Sequence, residues 1–135
     1  MFNTGKYDQA IPYFTKAAEL DQNYVQAYVY LGRSYISLGR WAEAIGPLRT
    51  AYRISPTETR KETTNFLSDA SFGDGIQSFR NGDYKTAIDH LKEGLTLDPS
   101  SAKIKDELVK AWVSYGGKLF TQGNFGEAIS AFDQA

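Results

Sequence analysis

The chain predicts an all-α fold of antiparallel helix pairs stacked in series, about seven helices in total. Three observations predict it: a seven-residue pattern recurs four times, apolar residues flank each copy at helical spacing, and glycine or proline stands where helices would stop. The pattern reads Gly, any, aromatic, any, any, Ala, Ile, and occurs at Gly5 to Ile11, Gly39 to Ile45, Gly82 to Ile88 and Gly123 to Ile129. The glycines are 34, 43 and 41 residues apart, so the last two copies carry insertions, at residues 59–67 and 102–108.

Each copy reads as a helix A followed by a helix B. Copy one, residues 1–24, contributes helix B only, with Met1 and Phe2 as the last turn of a helix A. Copy two is residues 25–58. Copy three, residues 59–101, has an extended helix A from Thr59 to Asn81. Copy four, residues 102–135, also has a long helix A, because Ile104 and Leu108 lead at i and i+4 into Ala111, Trp112 and Tyr115. Its helix B stops short at Ala135. The glycine opening each pattern is placed to end the preceding helix as its left-handed C′ residue, and Asn124 with Glu127 has the spacing of a capping box.

Along each helix B a small residue, a large apolar one and a second small one fall at i, i+4 and i+7. Ala44, Leu48 and Ala51 are one such set, and Ala10, Phe14 and Ala17 another. Pro56 and Pro99 end two of these helices, while Gln22 holds that place in copy one. Pro12 and Pro47 fall inside predicted B helices, where a kink is expected. In helix A, Tyr28, Leu31, Gly32 and Tyr35 of copy two match Trp112, Tyr115, Gly116 and Leu119 of copy four. Copy three has Ser71, Asp74, Gly75 and Ser78 instead, and its apolar Phe72, Ile76 and Phe79 lie further round the helix.

Composition narrows the function. Fifteen Lys and Arg against sixteen Asp and Glu give a net charge of −1, without the basic excess of a nucleic-acid binder. With no Cys and a single His, the chain has no thiolate nucleophile, no cysteine zinc site and no histidine cluster. No apolar run approaches the ~18 residues of a membrane span, and the first residues lack the basic, then apolar, start of a signal peptide. The chain reads as soluble, with no compartment indicated. His90 lies among Asp89, Lys92 and Glu93, a solvated face; Ser55, Thr57, Thr59, Thr63 and Thr64 mark a helix boundary; Gly73-Asp74-Gly75 lacks the spacing of a phosphate-binding loop. No catalytic constellation emerges and no cofactor is called for.

The pattern Tyr28, Leu31, Gly32, Tyr35, Ala44, Leu48 and Pro56 resembles the tetratricopeptide repeat family across essentially all 135 residues. The resemblance implies an α-solenoid with a right-handed superhelix and a concave groove lined by the A helices. Carried over by position, the groove residues are Gln26, Val29, Tyr30 and Arg33 in copy two, Phe72, Ile76 and Phe79 in copy three, and Lys110, Val113 and Ser114 in copy four. Phe72, Ile76 and Phe79 equally suit the core of a rotated helix A. The resemblance implies a non-catalytic scaffold for a protein or peptide partner with apolar anchors, in the helix-in-groove manner. Two other readings stay open. One is self-assembly through uncapped ends into a homo-oligomer; the other is a regulatory or recruiting domain cut from a larger enzyme.

Overall fold

The computed structural model describes residues 4–55 and 57–135, with side chains for 6–55 and 60–135. Among them are seven α-helices and no strand: α1 (Thr4–Leu20), α2 (Val25–Ser37), α3 (Trp41–Ile54), α4 (Thr57–Arg80), α5 (Tyr84–Leu97), α6 (Ala102–Thr121) and α7 (Phe125–Gln134). Helix α1 is the B helix of copy one, and thereafter A and B alternate. Helix α4 has 24 residues, about 36 Å at ~1.5 Å per residue, and α6 has 20. The residues cluster into two compact units, Met1–Ser71 and Phe72–Ala135, with the boundary inside α4 rather than between repeats.

Three A-to-B turns close alike. Gly39 takes φ +71°, donates its N–H to the Ile36 carbonyl at 2.9 Å, and is followed by Arg40, whose N–H reaches the Tyr35 carbonyl at 2.9 Å. Those two bonds satisfy carbonyls left open at the end of α2, and the left-handed residue they require is least strained as glycine. Gly82 and Gly123 repeat the arrangement. Gly5 does not, since α1 already runs through it; the expected end of a helix at Met1 and Phe2 lies outside the described residues. Asn124 also departs from expectation, its side chain making no cap bond, whereas Ser101 accepts the Ile104 N–H at 3.4 Å and caps α6. The helix assignments of α1 and α3 are continuous across Pro12 and Pro47.

In the first unit Ala18, Ala27 and Leu31 form a core flanked by Ile11, Phe14, Tyr28 and Tyr35, and Ala44, Leu48 and Ala51 are fully buried on α3. A Cβ at Gly32 would stand 2.3 Å from Leu48 Cγ, so α2 and α3 approach too closely there for any side chain. Ser55 leaves α3 buried, its hydroxyl bonded to the Ala51 carbonyl and 3.5 Å from Thr63 Oγ1 on α4. Those contacts hold the boundary that the Ser/Thr cluster marks.

In the second unit Ile88, Leu91, Ile104 and Ala111 form the core, and Phe72 and Phe79 pack against it. These two are therefore core-flanking and not free groove residues, because the stripe of α4 is rotated toward α5; Ile76 is half-buried. His90 corrects another expectation. Its Nε2 lies 3.0 Å from Asp74 Oδ2 on α4, with side chains 26% and 14% exposed, so it bridges two helices instead of facing solvent. Copy two has Leu31 and Pro47 at those repeat positions, so a polar pair stands where an apolar one does elsewhere. His90→Ala is expected to cost about 1 kcal/mol, as a half-buried carboxylate loses its partner. Urea unfolding of the variant beside wild type measures it.

Candidate functional site

The first unit contains a cleft of about 410 Å³ between α1 and α2, closed on one side by Phe66 of α4. Lys6, Tyr7, Ala10 and Phe14 come from α1; Tyr30, Arg33, Ser34, Ile36 and Ser37 come from α2. Periodicity explains the grouping: residues 7, 10 and 14 share one face of α1, and residues 30, 33 and 37 share one face of α2. The rings of Phe14 and Tyr30 stack with centroids 5.0 Å apart. The Arg33 guanidinium lies 5.6 Å from the Tyr30 centroid and 5.3 Å from that of Phe66, a cation held between two aromatic faces. Among the described residues no Asp or Glu lines the cleft. Its chemistry is an aromatic floor with positive charge and two serine hydroxyls, suited to an apolar anchor accompanied by an anionic group.

Of the residues assigned to the groove in copy two, Tyr30 and Arg33 meet in this cleft. Gln26 is exposed but does not line it. Val29 is a correction: only 5% exposed, it belongs to the core and offers a partner nothing. The cleft residues from α1, and Phe66, are absent from the sequence-based assignment. The repeat register holds a signal for the first group. Ala10 and Phe14 align with Ala44 and Leu48, which lie on the face of α3 that meets α2.

In the second unit Lys110, Val113 and Ser114 lie along α6, with Val113 48% exposed. Lys110 Nζ pairs with Glu107 Oε1 at 3.1 Å. Ser114 lines a shallow depression of about 450 Å³ with Gly82, Tyr84, Lys118, Thr121 and Gln122, where Lys118 Nζ stands 5.9 Å over the Tyr84 ring. Among its lining residues this surface has one aromatic side chain, Tyr84, where the α1–α2 cleft has a stacked pair. A further depression of about 480 Å³ in the first unit mixes Glu19 with Arg53 and polar Thr15, Gln22, Asn23 and Thr50, and Tyr28 is its one aromatic lining residue among the described residues.

Among the described residues, no three or more His, Asp or Glu are placed to hold a metal ion, and no helix is long and apolar enough to cross a membrane. The marked pKa shifts belong to an exposed turn: the hydrogen bond from Arg40 holds the Glu43 carboxyl below its ordinary range and raises the guanidinium in return. Asp8 on α1 adds to the field at Arg40.

Residues 2–59 match the tetratricopeptide repeat family model. The mitochondrial ALBINO3-like protein 3 of Arabidopsis thaliana is 32% identical over 129 residues, which cover 92% of this chain and 22% of that protein. The anaphase-promoting complex subunit cut9 of Schizosaccharomyces pombe is 26% identical over 130 residues, covering 96% and 18%. The chain thus spans about a fifth of the length of the curated relatives it matches. Two crystal structures of MamA are each 21% identical, at TM-scores of 0.36 and 0.38, covering 96% of this chain and 86% and 80% of theirs. The family model is matched over copies one and two and the same residues recur in copies three and four, so residues 2–59 are tetratricopeptide repeats and the rest of the chain repeats their pattern.

Proposed function

We propose that the chain is a non-catalytic interaction scaffold that holds a segment of a partner protein in the cleft between α1 and α2. The observation that carries this is the cleft's lining: the Phe14–Tyr30 stack and Phe66 offer apolar surface, and Lys6 and Arg33 bring positive charge, with no carboxylate among the described lining residues. Large aromatic residues with arginine are the side chains on which binding energy concentrates at interfaces. The tetratricopeptide repeats matched over residues 2–59 support the same reading. Lys110 and Val113, exposed on α6, with half-buried Ser114 beside them, offer a second contact surface.

A displayed library of 12-residue peptides tests the proposal. Selected peptides are expected to carry an aromatic or branched apolar residue near an Asp or Glu. Tyr30→Ala with Arg33→Ala is expected to weaken them at least tenfold, about 1.4 kcal/mol or more, and to leave helicity unchanged by circular dichroism. Peptides that bind the double variant as well as wild type would place the site elsewhere.

One observation favours a second reading, self-association. Helix α7 exposes Phe125, Ile129 and Phe132 together, and Phe120 stacks edge-on against Phe125. If this face pairs copies, molar mass by light scattering rises from 15.1 kDa with concentration and Ile129→Asp abolishes the rise. A constant mass removes this reading.

A further inference from the structure

The second unit has a depression of a different kind from the α1–α2 cleft. Its volume is about 360 Å³, and Lys92 of α5, Trp112, Tyr115 and Leu119 of α6, and Glu127 and Gln134 of α7 are among the residues lining it. The Trp112 and Tyr115 ring centroids lie 6.3 Å apart, with the planes inclined at 56°. Two inclined rings lining one hollow offer it π-electron density, and that attracts a cation. The chain shows the preference with a group of its own: Lys92 Nζ stands 5.0 Å from the Trp112 centroid. Among the described residues Glu127 is the one carboxylate in the lining. Both Lys92 and Glu127 are exposed.

The depression is a feature of the repeat. Lys92, Trp112, Tyr115 and Gln134 hold the repeat positions of Thr15, Tyr28, Leu31 and Thr50, which line the depression of about 480 Å³ in the first unit. Two differences matter. A ring beside a leucine in the first unit becomes a ring pair in the second, and a threonine becomes the cation that lies over it. Leu31 is 6% exposed whereas Tyr115 is half-buried, so the second ring is within reach of a ligand.

We infer that this depression binds a methylated lysine side chain of a partner protein, with the trimethylammonium group on the Trp112 and Tyr115 rings and Glu127 as its counter-ion. A primary ammonium such as that of Lys92 is compact and strongly hydrated. A trimethylammonium group sheds its water more readily and meets the rings with methyl groups as well as charge, so it displaces Lys92 from Trp112. The carboxylate complements the incoming charge once Lys92 has moved away. Gln134, exposed in the same lining, offers an amide to the backbone on either side of the modified lysine, which a lipid headgroup lacks. This surface is separate from the α1–α2 cleft, and its occupant does not depend on what the cleft holds.

The probe is the peptide acetyl-Gly-Ala-trimethyllysine-Ala-Gly-amide, titrated into the isotope-labelled chain and followed by the indole N–H signal of Trp112, with that of Trp41 as reference. A saturable shift is expected at Trp112 and none at Trp41. The peptide is expected to bind about tenfold tighter than versions with unmodified lysine or with the uncharged carbon isostere of trimethyllysine, and about tenfold tighter than phosphocholine. Lys92→Ala is expected to tighten binding about threefold by removing the resident ammonium, and Glu127→Gln to weaken it about threefold. Tyr115→Leu, which installs the residue of the first unit, is expected to weaken it about tenfold with helicity unchanged by circular dichroism. If that variant loses helicity, the comparison of the peptide with its uncharged isostere on the wild-type chain decides alone. A Trp112 signal that does not move, an isostere that binds as tightly as the cation, or Lys92 and Glu127 variants that both bind like wild type overturn the inference. Phosphocholine binding more tightly than the peptide overturns it too, since the cation would then come from a lipid headgroup.

Discussion

Gly32→Leu is expected to destabilise the first unit by more than about 3 kcal/mol, beyond the ordinary cost of overpacking. The reason is positional. A Cβ at residue 32 would already stand 2.3, 2.5 and 2.9 Å from Leu48 Cγ and its two Cδ atoms, and leucine adds three further carbons beyond it. Leu48 is fully buried and has nowhere to turn, so α2 and α3 must separate. Urea denaturation followed by circular dichroism reads the loss as a drop in midpoint. A variant within about 0.5 kcal/mol of wild type would show that the helices do not meet at this glycine, and the repeat geometry built on it would be wrong.

The second large effect contrasts two residues at one repeat position. Val29→Glu is expected to cost several kcal/mol and to unfold the first unit, because the carboxylate would enter a site 5% exposed with no partner provided. Val113→Glu, eighty-four residues on in the same register, is expected to stay within about 0.5 kcal/mol of wild type, since its side chain is 48% exposed. Thermal melts of the two variants side by side decide it. Equal melting temperatures would mean that burial at this position carries no weight.

Most of the architecture was legible in the residues. The Gly-x-aromatic-x-x-Ala-Ile copies placed every A-to-B turn but the first, and the continued apolar spacing from Ile104 through Tyr115 announced the long α6. Such features are visible because they depend on local physics: a left-handed turn needs glycine, and one face of a helix repeats every 3.6 residues. The candidate site was less legible. Tyr30 and Arg33 were named from the register, but the cleft also takes Tyr7 and Phe14 from a B helix and Phe66 from α4, and its floor is a stack between residues of different helices. His90 gave no sign of its partner either, since Asp74 lies sixteen residues earlier among glycines.

The sequence by itself determined the helices, their order, their turns and the repeat pattern they follow, since each rests on interactions within one helix or one turn. Only the tertiary structure decided which side chains are available. Val29, Phe72 and Val113 occupy one position in the repeat, yet the first is buried, the second packs against a core and the third is exposed. Burial there depends on what lies alongside helix A, which no residue specifies for itself.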